Sequence, residues 1–145
     1  MSKFSSYPSV VKITTRGEND IVDITWHLNA LIEKSGIDDG LINVIVPGAT
    51  GAITTIEYEP GLLQDFPDLM EKLVPKNHQF QHNERNYDDN GHSHCRASLI
   101  GPSLTLNFKQ KRLVTGTWQQ VVFLEFDTRS RERILDIMII GVCHD

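Results

Sequence analysis

The last third of the chain restricts its folding options more than any other segment. "SLTLNF" (103–108), "LVTGTWQQVVFLEF" (113–126) and "ILDIMIIG" (134–141) are apolar and strand-like, separated only by the basic turns "KQKR" and "TRSRER". Turns this short join antiparallel neighbours, so the region reads as three or four strands of an antiparallel meander. Upstream, "SVVKITT" (9–15) and "DIVDI" (20–24) supply further strands. "GLINVIVPG" (40–48) is a nearly continuous apolar run, expected as a central strand covered on both faces. "GAITTIEYE" (51–59) reads as another strand, ending in Glu57 and Glu59.

Helical spacing occurs in two places. In "TWHLNALIEKSG" (25–36), Leu28, Leu31 and Ile32 share a face and Gly36 offers a stop. In "PGLLQDFPDLMEKLVP" (60–75), the residues Leu62, Leu63, Phe66, Leu69, Met70 and Leu73 recur at helical intervals. Pro60 suits the first turn, Pro75 the end, and Pro67 predicts a bend or interruption. There is no regular β-α alternation, no repeat and no linker. The 145 residues therefore predict a single domain, 1–145, of α+β class. Its antiparallel sheets would form a sandwich or flattened barrel with two or three helices.

A net charge of −5 argues against a nucleic-acid partner. No apolar run approaches the roughly 20 residues of a membrane span, and "MSKFSSYPSV" lacks the apolar core of a signal peptide. A cytoplasmic protein with no membrane partner is expected. Cys95 and Cys143 are far apart and fit free thiols better than a disulfide or zinc pair.

The polar stretch "HNERNYDDNGHSHCRASLIG" (82–101) holds His82, His92 and His94 beside Asp88 and Asp89. Neutral imidazoles with a carboxylate from Asp88, Asp89 or Glu57 suit zinc or a similar ion. If "HSH" is extended, both rings share a face. If Asn90 caps a helix that Gly101 ends, His92 and His94 diverge by about 200° and His94 shares its face with Ser98. The helix is favoured because Cys95 and Leu99 lie one turn apart, which makes His92 the weakest ligand candidate. The competing reading is an exposed polar loop. "VPGATGAITT" (46–55) could offer backbone N–H groups to an anion, or be only a turn; it lacks the lysine and spacing of a P-loop. In "TGTWQ" (115–119), Trp118 suits core packing, with Thr117 and Gln119 on the opposite face as ligand contacts or as a polar exterior. Arg129, Arg131 and Arg133 near Asp127 could grip phosphate or lie in a solvated turn. Cys95 beside His94 is disfavoured as a nucleophile, since adjacent helical residues point apart.

Taken in order, "GATGAITTIEYEP", "HNERNYDDNGHSHCRASLIGPSLTL" and "LVTGTWQQVVFLEFDTRSRERILDIMIIG" resemble successive motifs of the YjbQ-like family, from about Val10 to Gly141. That family is described as secondary thiamine-phosphate synthase enzymes, with many members of unknown function. The resemblance implies an α+β domain dominated by a β-sandwich, a homotrimer, and a metal site near subunit boundaries. It makes His82 and His94 the better metal ligands, with His92 matching a His-x-His variant. Glu57, Asp89 and Gln119 fall at positions expected to be catalytic. Thr50, Ser98, Thr117 and Trp118 fall at positions expected to bind substrate. The sequence departs from the pattern in two places: Gly48-Ala49-Thr50 stands where many relatives have His-Thr-Ser or His-Thr-Thr, and Ile56 replaces an asparagine.

The implied reaction joins a pyrimidine diphosphate to a thiazole phosphate, releasing pyrophosphate. The histidines would hold a divalent metal, and Arg96 or Arg129 the phosphate of a small phosphorylated substrate. Histidine ligands favour zinc, while diphosphate chemistry favours magnesium. Two other readings stay open: a non-catalytic trimer that binds an anion or metal, and a metal-assisted phosphohydrolase.

Overall fold

A computed structural model describes residues 1–144. The order is β1 (Lys3–Thr14), β2 (Ile21–Asp23), α1 (Thr25–Ser35), β3 (Asp39–Ile45), β4 (Gly51–Ile56), α2 (Pro60–Leu73), α3 (Gln81–Asn86), α4 (Gly91–Ile100), β5 (Ser103–Lys109), β6 (Arg112–Leu113), β7 (Gln120–Glu125) and β8 (Glu132–Cys143). Two antiparallel sheets result, one ordered β1-β8-β3-β5-β6 and the other β2-β7-β4. The α+β expectation holds, with one helix more than foreseen: α3, which is too short and polar to show a helical apolar stripe. No helix among the described residues is long and apolar enough to cross a membrane.

The strand covered on both faces is β7, not β3. Val121 and Phe123 pack into the main core between the sheets with Leu28 and Ile32 of α1. Val122 and Leu124 face the other way, into a second cluster with Met70 of α2 and Ala97 of α4. In β3, Ile42 and Val44 are buried, while Leu41 and Ile45 reach the exposed outer face. An apolar run alone does not say whether a second layer exists to cover it.

The same requirement removes the expected meander. β5 and β6 form a hairpin, but the chain then crosses to the other sheet, because β7 needs apolar layers on both sides. β8 returns between β1 and β3. Residues 114–119, including Trp118, form the crossing and not a strand; Trp118 is 72% exposed and does not pack in the core. β1 begins at Lys3, earlier than Ser9, since Cys143 of the long β8 pairs with Lys3.

α2 runs through Pro67 without interruption. Only one backbone bond is lost there, and Leu63, Phe66 and Met70 stay on the second cluster. Pro60 occupies the first turn, and Glu59 caps it by accepting from the N–H groups of Gly61 and Leu62. Gly36 ends α1 in the left-handed region, as expected.

Candidate functional site

The histidine stretch folds as two helices joined by a tight connection. Tyr87, at φ 53°, ends α3 in a left-handed conformation, and Asn83 ties the connection together by accepting from the N–H of Gly91 at 2.8 Å. A Cβ at Gly91 would lie 2.6 Å from the Phe80 side chain, so glycine lets α4 start hard against α3. That closeness brings His82 of α3 to His94 of α4, with ring centroids 4.5 Å apart and planes inclined at 53°. His82 Nε2 lies 3.1 Å from Asn90 Oδ1 and 3.8 Å from Asp88 Oδ2.

His92 does not join this pair. One residue of an α-helix advances about 100°, so His92 leaves the opposite side of α4 from His94. Its ring is fully buried, bonded through Nε2 to the carboxylate of Glu18, and its Nδ1 has no partner among the described residues. Burial opposes charge on Glu18, yet hydrogen bonds from Lys76 and His92 outweigh it and hold that carboxyl below its ordinary range. The apolar argument for the helix fails in detail: Cys95 and Leu99 are exposed, and the buried face carries Gly91, His92, Ser93, Arg96 and Ala97. Both cysteines are free thiols.

Beneath the His82–His94 face lies a polar network built on the ends of β7 and β8. Glu125, fully buried, accepts two hydrogen bonds from Arg133, at 2.5 and 2.8 Å, and one from the Thr15 hydroxyl at 2.9 Å. Arg133 also donates to Thr50 Oγ1 at 2.9 Å, and Thr50 donates to Asp127 at 3.1 Å. Asp127 further receives the Thr128 N–H at 2.8 Å and Arg131 at 2.5 Å. Burial works against its charge, but the Thr128 N–H, the Thr50 hydroxyl and Arg131 together hold the carboxyl below its usual range. The Asn90 amide reaches Asp127 at 3.5 Å and so links the network to His82.

Against this network opens a polar cleft of about 350 Å³, lined on one side by residues 86–90 and on the other by Asp127, Thr128, Arg129 and Arg131. Asp89 lies there, accepting from the Thr128 hydroxyl at 3.3 Å. Arg129 and Arg131 supply positive charge, Asp88 and Asp89 negative. A phosphate could meet the guanidinium groups, or a hard cation the carboxylates.

Other expected residues lie elsewhere. Arg96 is buried and engaged by the Val74 carbonyl, at 2.8 and 3.1 Å, and by Glu71 at 2.6 Å, so it has no reach to a phosphate. That pairing holds Glu71 below the usual carboxylate range. Ser98 is exposed on α4. Glu57 follows β4, and Thr117, Trp118 and Gln119 lie in the exposed crossing between β6 and β7. Gln119 donates to Thr55 at 3.1 Å. In the β4–β7 register Gly51 faces Glu125 at the histidine end, while Ile56 faces Gln120 at the far end. Five residue steps make about 17 Å. Within one chain, then, Thr50, His82, Asp89 and His94 assemble at one end, and Glu57 with Thr117–Gln119 at the other.

Among the described residues no three His, Cys, Asp or Glu side chains form a set able to hold a metal ion. His82 and His94 offer two imidazoles, short of the three protein ligands usual for a catalytic zinc. The donors of one chain do not fit a complete metal centre. Asn90, Glu125 and Asp127 escaped the sequence reading as site residues. In the sequence Asn90 signals only a helix cap. Glu125 and Asp127 carried one legible signal, charge closing the otherwise apolar "VVFLEFD".

Residues 9–142 match the family model described as UPF0047 protein YjbQ-like. A UPF0047 protein of Archaeoglobus fulgidus is 37% identical over 116 residues, covering 80% of this chain and 88% of the relative. One from Methanocaldococcus jannaschii is 36% identical over 131 residues, covering 90% and 91%. Among solved structures, a YbjQ-like protein of unknown function from Sulfolobus solfataricus P2 superimposes with a TM-score of 0.89 at 30% identity, covering 96% of this chain and 99% of that one. A hypothetical protein from Aeropyrum pernix K1 gives a TM-score of 0.81, also at 30% identity, covering 92% and 98%. Sequence match and fold agree over nearly the whole length, and the chain belongs to the UPF0047 YjbQ-like family.

Proposed function

We propose that the chain is an enzyme acting on a small phosphorylated substrate at the His82–His94 face, with thiamine-phosphate formation as a secondary reaction. One observation carries this reading. Two imidazoles 4.5 Å apart stand over a buried, hydrogen-bonded network that also borders a cleft with Arg129 and Arg131. Arg129 and Arg131 bind phosphate oxygens, and an imidazole gives a proton to the departing diphosphate as its bond to carbon breaks and the thiazole nitrogen forms the new one.

A divalent cation, when bound, would offset leaving-group charge; the imidazoles favour zinc and the carboxylates of Asp88 and Asp89 favour magnesium. Its missing ligand would come from a second copy. That fits the homotrimer we infer, because the outer face of the larger sheet exposes Val10, Leu41, Ile45, Ile134 and Met138. A neighbour could also bring its Glu57 and Gln119 to the histidine end. Free Cys95 and Cys143 suit a cytoplasmic location.

The second reading is a non-catalytic trimer that binds an anion or metal. It is favoured by the separation of the Glu57 and Trp118 end from the histidines. The test is product formation from a pyrimidine diphosphate and a thiazole phosphate, with and without zinc or magnesium, alongside native mass spectrometry. A rate that falls about 100-fold or more in His94→Ala supports the enzyme. A rate unchanged in that variant rejects it, and a monomeric mass rejects the trimer.

A further inference from the structure

We infer that Asn90 and Asp127 act as positioning residues that fix the tautomer of His82, placing its proton on Nε2 and leaving the lone pair on Nδ1, where only the exposed Asn86 amide meets it. The argument starts at Asp127, whose two oxygens accept from the Thr128 N–H, the Thr50 hydroxyl and Arg131. A carboxylate ringed by donors can only accept. The part of Asn90 that meets Asp127 Oδ1, at 3.5 Å, is therefore its NH₂ group. This turns the amide oxygen of Asn90 toward His82 Nε2, 3.1 Å away. An amide oxygen carries no proton, so that nitrogen of His82 must donate.

The other side of the ring agrees independently. Asn86 Nδ2 lies 3.0 Å from the His82 carbonyl oxygen, which identifies it as the amide nitrogen, and 3.3 Å from His82 Nδ1. A donor facing Nδ1 requires a lone pair there. Opposite ends of the imidazole thus report the same tautomer. The Asn86 contact is the longer of the two and is exposed, so it yields readily to a proton, a cation or an electrophilic group of the substrate. A further observation supports a role for Asn90 beyond the helix: it occupies the N-cap of α4, yet its side chain makes no capping bond and is turned to His82 and Asp127 instead.

The assignment stands apart from the proposed reaction; only the use of Nδ1 as base or ligand rests on that reading. It is tested by ¹⁵N labelling of histidine and long-range ¹H–¹⁵N correlation at a pH of about 8, above the ordinary imidazole pKa. The His82 signals are identified by their loss in His82→Gln. The expected result is a single Nε2–H tautomer in the native chain. In Asn90→Ala, whose fold is checked by circular dichroism, a mixture with the Nδ1–H form should appear. An Nδ1–H form in the native chain, or a pattern unchanged in Asn90→Ala, overturns the relay. Correct tautomer with no thiamine-phosphate formation would reject the function and leave the assignment in place. Activity with the wrong tautomer would do the reverse.

Discussion

Replacing Arg133 by methionine should destabilise the fold by about 3–5 kcal/mol, the range for removing one partner of a buried ion pair. Glu125 is fully buried, and Arg133 gives it two of its four hydrogen bonds, those at 2.5 and 2.8 Å. The two that remain, from the Thr15 hydroxyl and the Asp127 N–H, come from neutral donors. They cannot balance a charge held away from water. A urea dependence of about 2 kcal/mol per molar turns a loss of 4 kcal/mol into a midpoint lower by about 2 M. The decisive comparison is the double variant Arg133→Met/Glu125→Gln. Glutamine keeps a carbonyl to accept from Thr15 or Asp127 without the charge, so the double variant should recover about half of the loss or more. Urea denaturation followed by circular dichroism at fixed protein concentration measures all three proteins. A cost below about 1 kcal/mol for the single variant, or a double variant no more stable than the single, would refute the claim that a desolvated charge dominates here.

Tyr87 holds a left-handed backbone at φ 53° with its side chain 98% exposed, so Tyr87→Gly should raise stability by about 0.5–1 kcal/mol. A thermal melt moving downward would contradict that. The carboxyls of Asp127 and Glu18 sit below their unfolded values, so they stabilise the fold above the unfolded pKa of about 4. That contribution is lost as pH falls through their folded values. Stability measured between pH about 7 and about 3 should decline less steeply in Asp127→Asn than in the native chain, and equal slopes would contradict the linkage.

How much of this was legible in the sequence depends on what each signal reports. The limits of α4 were visible because Asn90 and Gly101 are residue types common at helix ends, although the Asn90 side chain makes no capping bond. Its buried face was not, because Cys95 and Leu99 point outward while Arg96 is drawn inward by the Val74 carbonyl and Glu71, residues distant in the chain. The divergence of His92 from His94 followed from helical geometry alone. The approach of His94 to His82 required the packing of α3 on α4 through Gly91, which no periodicity encodes. Likewise the apolar content of β3 and β7 looked equivalent, and only the positions of α2 and α4 decide that β7 is covered twice.

The corner near position 48 is dominated by a single guanidinium. Arg133 lies under it: a Cβ at Gly48 would be 3.4 Å from Nη1, the guanidinium nitrogen that neither Glu125 nor Thr50 engages. A guanidinium stays charged at any physiological pH and donates without ever presenting a lone pair. It cannot ligate a metal or shuttle a proton, but it can donate to an oxyanion. The rings of His82 and His94 lie paired on the other side of Asn90.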